Sequence, residues 1–142
     1  MHQKKITAWS NIPEKSAENM EAAEILFLKQ KYTSAISRIY YALFQLFYKE
    51  MLDEGKIKPE NNPPSVHEAV YLFLVAQIPE ENDFVINIFK TMRGERRKAD
   101  YIGECCSQEK TERLLVSCEN LHKKLLSNVK NGRKVLYGYT GS

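Results

Sequence analysis

Tyr32-TSAISRIYYALFQLFYKEMLDE-Gly55 decides the fold class. Its apolar positions Ile36, Ile39, Tyr40, Leu43, Phe44, Phe47 and Met51 recur at steps of three and four. That is the period of a helix with one buried face. No proline interrupts the run, and Gly55 is a natural left-handed stop just past its end. The reading is a helix from Thr33 to Glu54, dense enough to be the central and most buried one.

Upstream, a first helix is expected from Glu14 to Lys29, with Ala17, Met20, Ala23 or Glu24, and Phe27 or Leu28 as its buried stripe. A break follows over residues 30–33. Downstream of Gly55, the polar stretch KIKPENNPP (56–64) holds Pro59, Pro63 and Pro64. It cannot be helical, because proline lacks the donor and clashes with the preceding turn. Ser65-Val-His-Glu68 then reads as a capping box, with the Ser65 hydroxyl accepting from the third-position amide and Glu68 reaching back. It opens a short apolar helix ending near Gln77. Pro79 suits the first turn of a fourth helix, where the dipole favours Glu80, Glu81 and Asp83. That helix should run to Tyr101, with Gly94 marking a kink or a close approach at a cost of ~1 kcal/mol relative to Ala. A fifth helix spans Ser107 to Asn131-Gly132.

No segment alternates with period two, so the expected architecture is all-α: an up-and-down helical bundle of four to five helices. Residues 1–13 form an N-terminal arm, 14–131 the bundle and 132–142 a C-terminal tail. The tail reads as mobile, with Leu136 and its tyrosines offering a means of docking.

Composition bounds the function. The chain has 142 residues, 43% hydrophobic and 27% charged, ordinary values for one globular domain. A disordered tail, a collagen-like fibre and a disulfide scaffold are excluded. The net charge of +3 is too small to coat nucleic acid, so any such role must come from local clustering. The longest apolar run, Ala69 to Ala76, is far short of the ~20 residues that span a bilayer. The N-terminal stretch lacks the apolar core of a signal peptide. The adjacent Cys105 and Cys106 and the distant Cys118 form no disulfide framework. The expected location is therefore the cytoplasm.

The clustering is found in Lys90-TMRGERRKAD-Tyr101. Residues 90–100 hold five basic and two acidic residues, a local excess equal to the net charge of the whole chain. On a helix, Arg93, Arg96, Arg97, Asp100 and Tyr101 share one face. Guanidinium forks match phosphate oxygens and stay charged at any working pH. A tyrosine can donate a proton or stack on a base. Arg96 and Asp100 are also an i,i+4 pair, the mark of an ordinary solvated helix face, and Ala99 allows close packing that would let Asp100 pair with Arg38 across the bundle. In the central helix, Arg38, Tyr41 and Gln45 share a face. This is either a polar rim of the same site or a core helix with one snorkelling arginine.

Three blocks then occur in order: Tyr32-TSAISRIYYAL-Phe44, Ser65-VHEA-Val70 and Arg96-RKAD-Tyr101. Together they resemble the HEPN superfamily, small helical nucleotide-binding domains with Y-x-x-A-x-x-R-x-Y-Y-A-x-F, T/S-H-x-x-V and R-x-x-A-D-Y motifs. The resemblance covers residues 14 to 130. It implies a four- or five-helix bundle, a homodimer, and a toxin–antitoxin or defence pairing with a minimal nucleotidyltransferase. It also implies either a binding module for RNA or nucleotide or a metal-independent ribonuclease. In such a ribonuclease the ribose 2′-hydroxyl attacks its own phosphodiester with acid–base and electrostatic help.

Active members carry an arginine followed four to six residues later by a histidine. Here Asp100 and Tyr101 occupy that region. The candidate catalytic set is therefore Arg93, Arg96, Asp100, Tyr101 and His67, and the candidate binding set is Arg93, Arg96, Arg97, Lys98, Arg38 and Tyr41. The resemblance makes Tyr101 a candidate for adenylylation by the partner.

No cofactor or metal is expected. Cys118 and His122 are one helical turn apart, with Cys105-Cys106 near the start of that helix, yet no C-x-x-C spacing exists. His2 and His122 read as surface residues and the thiols as buried ones. No G-x-S-x-G elbow or phosphate loop occurs. A helical scaffold with no nucleic-acid role remains the third reading.

Overall fold

A computed structural model describes residues 9–59, 65–79, 83–102 and 106–139. All regular structure among these residues is helical, and none of them forms a strand. The elements are α1 (Ile12–Leu28), α2 (Tyr32–Asp53), α3 (Val66–Gln77), α4 (Phe84–Arg97), a π turn (Lys98–Ile102) and α5 (Gln108–Lys130). No helix among the described residues is long and apolar enough to cross a membrane.

The central helix of the bundle is α2. It touches α1, α3, α4, α5 and the π turn. Ile36, Ile39, Tyr40, Leu43, Phe44, Phe47 and Met51 are all buried, and Ala42 and Leu46 bury a second face. Gly55 stands at φ +71°. Its amide bonds Leu52 and that of Lys56 bonds Met51, which satisfies two otherwise orphaned carbonyls. The same arrangement ends α5 at Gly132 and ends α1 at Gln30. Gln30 is the only non-glycine of the described residues with positive φ, so the break after α1 is a left-handed stop without a glycine.

Several expectations change. α1 begins at Ile12, because Pro13 lacks an amide that the first turn would leave unbonded anyway. Ser16, not Ala17, faces inward with Met20 and Ala23. α4 begins at Phe84 rather than Pro79, because its buried stripe starts only at Val85 and continues through Phe89 and Met92. Glu80 and Glu81 lie outside the described residues. Gly94 is no close approach: a Cβ there would meet nothing within 4 Å. Ser65 caps α3 as expected, accepting from the Glu68 amide at 3.3 Å, while the Glu68 carboxylate pairs with Arg93.

Leu136 docks, and the unforeseen Val135 beside it is fully buried. The Val135 amide donates to Glu50 at 3.3 Å, and Asn128 Nδ2 donates to the carbonyls of Val135 and Tyr137. Residues 133–139 are thus held to α2 and α5 rather than left mobile.

His122 is a core residue, not a surface one. Ser16 Oγ lies 2.6 Å from the Ala42 carbonyl and 2.7 Å from His122 Nε2. The single hydroxyl proton goes to the carbonyl, so the oxygen accepts from His122 Nε2–H. Burial, helped by the charge of Lys130, holds this imidazole down at about 4. Cys118, fully buried one turn earlier, has its thiol pushed up to about 12 by burial and the charge of Glu119. It is an inert packing thiol.

Two groups on α5 give the fold opposite dependences on pH. His122 favours the fold above its ordinary value near 6.5, and that stability is lost as pH falls toward 4. Glu119 behaves oppositely. Burial and its hydrogen bond to Glu24 raise it from 4.5 to about 7, so its stabilising protonated form is lost as pH rises through 7. For these two groups, the His122 gain and the Glu119 loss overlap between about 4.5 and 6.5 and largely offset each other, leaving a shallow maximum there. Glu119→Gln should raise it at pH 8 and barely change it at pH 4.5; an equal gain at both values would rule out this ionisation as the cause.

Candidate functional site

The basic segment and the start of α3 enclose an open cleft of about 730 Å³. Ser65 and His67 line one side. Arg93, Gly94, Arg96, Arg97, Lys98 and Tyr101 line the other. The fold thus brings His67 to the arginines, although 26 residues separate it from Arg93 in number.

A purely α-helical projection fails at residue 98, where the chain widens into the π turn. π turns recur at functional sites because the extra residue re-aims the side chains beyond it. Here Ala99 is buried, Lys98 and Tyr101 are exposed, and the partly exposed Asp100 carboxylate is turned back toward Arg96 and α2. Tyr101 is 78% exposed, the phenol of the cleft rim.

Arg96 is not the open phosphate fork that its spacing suggests. It is only 8% exposed. Its guanidinium lies over the rings of Tyr40 at 5.1 Å and Tyr41 at 5.7 Å. Nη1 donates to the Tyr41 hydroxyl at 3.1 Å and to Asp100 Oδ2 at 3.3 Å. Its buried Nε has no hydrogen-bond partner among the described residues, and the adjacent ring faces offset part of that loss. Asp100 in turn accepts from Ser37 Oγ at 2.7 Å. Arg96 therefore positions the site, held within one chain by Tyr40, Tyr41 and Asp100.

The expected pairing of Asp100 with Arg38 does not occur. Arg38 donates to Asn19 at 2.9 Å, beside Gln45, in a separate surface depression shared with α1. One residue along α2 turns the chain by about 100°, so Ser37 meets Asp100 and Arg38 does not. Arg38 leaves the candidate site; Tyr41 stays in it through Arg96.

The remaining cations differ in freedom. Arg93 is paired with Glu68 at 2.7 Å and lies 5.9 Å from the Tyr71 ring centre. Lys98 is 3.8 Å from Glu95. Glu95, missed by the sequence reading, is nearly buried. Burial raises its carboxyl, but hydrogen bonds from Lys110 and Cys106 and the nearby lysine charges outweigh this and hold it low. Arg97 and Lys98 are exposed and make the cleft electropositive.

His67 Nδ1 is 2.7 Å from the Tyr40 hydroxyl. Its ring packs on Phe44 with centroids 4.6 Å apart. Burial first, then the charges of Arg96 and Arg93, hold the imidazole below its ordinary value. The neutral form of the ring is therefore favoured. Burial likewise drives the Tyr40 phenol upward, so it keeps its proton.

No group of three or more His, Cys, Asp or Glu among the described residues is arranged to hold a metal ion; Cys105 lies outside them. No family model matches the chain, and no curated protein or solved structure matches it either.

Proposed function

We propose that this chain is a HEPN-like up-and-down bundle that binds RNA or a nucleotide, as one half of a toxin–antitoxin or defence pair with a nucleotidyltransferase. The observation that carries the reading is the cleft itself: exposed Arg97, Lys98 and Tyr101 facing the first turn of α3. Cations there suit phosphate oxygens, the exposed phenol suits an unpaired base, and a helix N-terminus favours an anion. Tyr101 is also open enough to be adenylylated by such a partner. A homodimer is part of the proposal. Beyond its first turn α3 is apolar from Ala69 to Ala76, with Leu72 and Val75 exposed, and such a stretch is ordinarily covered.

The test is fluorescence anisotropy with a labelled single-stranded RNA across a salt series. Arg97→Ala with Lys98→Ala should weaken binding about tenfold or more and flatten the salt slope by ~0.7 for each lost phosphate contact. Unchanged affinity and slope in a folded double variant would overturn the reading.

A second reading, a metal-independent ribonuclease with a divergent motif, is favoured by one observation: His67 shares the cleft with the guanidiniums of Arg93 and Arg96. RNA cleavage in EDTA that disappears with His67→Gln would support it.

A further inference from the structure

The Tyr40 side chain is fully buried, and the hydrogen-bond partner of its hydroxyl among the described residues is His67 Nδ1, at 2.7 Å. Two proton arrangements fit that distance. If the imidazole donated through Nδ1–H, the phenol proton would be left with no acceptor among the described residues. Around the Tyr40 ring stand Tyr41, Phe44, Phe89 and the Arg96 guanidinium, and no carbonyl or carboxylate of the described residues is hydrogen-bonded to its hydroxyl. A buried donor left unmade is costly. If the phenol donates to Nδ1, both groups are satisfied. In a neutral imidazole the remaining proton then belongs to Nε2.

We infer that Tyr40 fixes His67 in the tautomer protonated at Nε2, so that the cleft is offered a hydrogen-bond donor where a base would be expected. Phe44 and Tyr41 hold the ring in place from its faces and edge. Burial first, and then the arginine charges nearby, disfavour a second proton on the ring, which favours an uncharged donor. A fixed neutral imidazole N–H polarises an oxyanion or a carbonyl without the reorganisation a mobile cation needs. The acceptor chemistry it fits is a phosphoryl oxygen, with Arg93 and the first turn of α3 in the same cleft. Tyr40 is then a positioning residue acting through His67. The consequence for ribonuclease chemistry is specific: with Nε2 protonated, His67 cannot take the proton of a ribose hydroxyl, and its part is that of donor. That ligand assignment rests on the phosphate-binding reading above; the tautomer does not.

The experiment is nitrogen-15 NMR of the ring nitrogens in the full chain, near neutral pH and without ligand. His67→Gln identifies the His67 signals among the three histidines. Nδ1 is expected to carry the unprotonated signature and Nε2 the protonated one. Tyr40→Phe, which keeps the ring and removes only the hydroxyl, should turn one tautomer into a mixture. A proton on Nδ1 in the parent protein, or an unchanged tautomer in Tyr40→Phe, overturns the inference. Inorganic phosphate and adenosine 5′-monophosphate are then titrated in, and the Nε2 resonance should shift. A protonated Nε2 that neither probe moves upholds the tautomer and overturns the phosphate reading alone.

Discussion

Arg96→Ala is expected to lower the melting temperature by about 10 °C. The loss has three parts. The side chain gives up contact with two ring faces, at ~1 kcal/mol or more when partly desolvated. The Tyr41 hydroxyl loses the Arg96 hydrogen bond, at ~1 kcal/mol. Asp100 loses its cation but is partly exposed and keeps Ser37, so this part is well below the several kcal/mol of a fully buried pair. A total of ~3 kcal/mol, at roughly 3–4 °C per kcal/mol for a chain of this size, gives the stated shift. Arg96→Met should be milder than alanine, because it refills the space between the rings without burying a charge. Thermal unfolding of the three proteins checks this. An alanine variant with parental melting temperature and lost RNA binding would return Arg96 to the set of ligand contacts.

That reassignment shows what the sequence could and could not convey. The periodicity of α2 was legible because Ile36, Ile39, Leu43 and Phe47 repeat on one face at helical spacing. Gly55, Ser65, Ser107 and Gly132 marked ends because capping is local chemistry within a few residues. The π turn was not legible, since one added residue per turn leaves no trace in a pattern of charges. The partners of buried polar groups were not legible either. Ser16 reaches His122 across 106 residues, and Ser37 reaches Asp100 across 63. A charge or an imidazole reads as surface until its distant partner is known. The basic run around Arg97 was legible as a cluster, but only the fold shows that Arg96 turns inward while Arg97 and Lys98 stay out.

Phe89→Ala should be the most damaging single change to the fold, costing about 3–5 kcal/mol and a shift in melting temperature of roughly 10–20 °C. Phe89 is fully buried on α4. It stacks on Tyr40 with centroids 5.3 Å apart and meets Phe47 edge-on at 5.4 Å. Its ring therefore joins α4 to α2 beneath the cleft. Tyr40 carries Arg96 on one side and His67 at its hydroxyl, so the core contact and the site share one residue. Phe89→Leu keeps most of the volume and should cost about 1.5 kcal/mol or less. In this folded variant the missing ring loosens the support under Tyr40, so the Tyr40–His67 hydrogen bond should weaken although Phe89 does not line the cleft. Thermal unfolding reads the loss of stability, and the nitrogen-15 signature of His67 reads the Tyr40–His67 hydrogen bond, which separates the two effects. An alanine variant within about 1 kcal/mol of the parent would mean that α4 does not pack on α2 through this ring, and would remove the physical link from the core to the cleft.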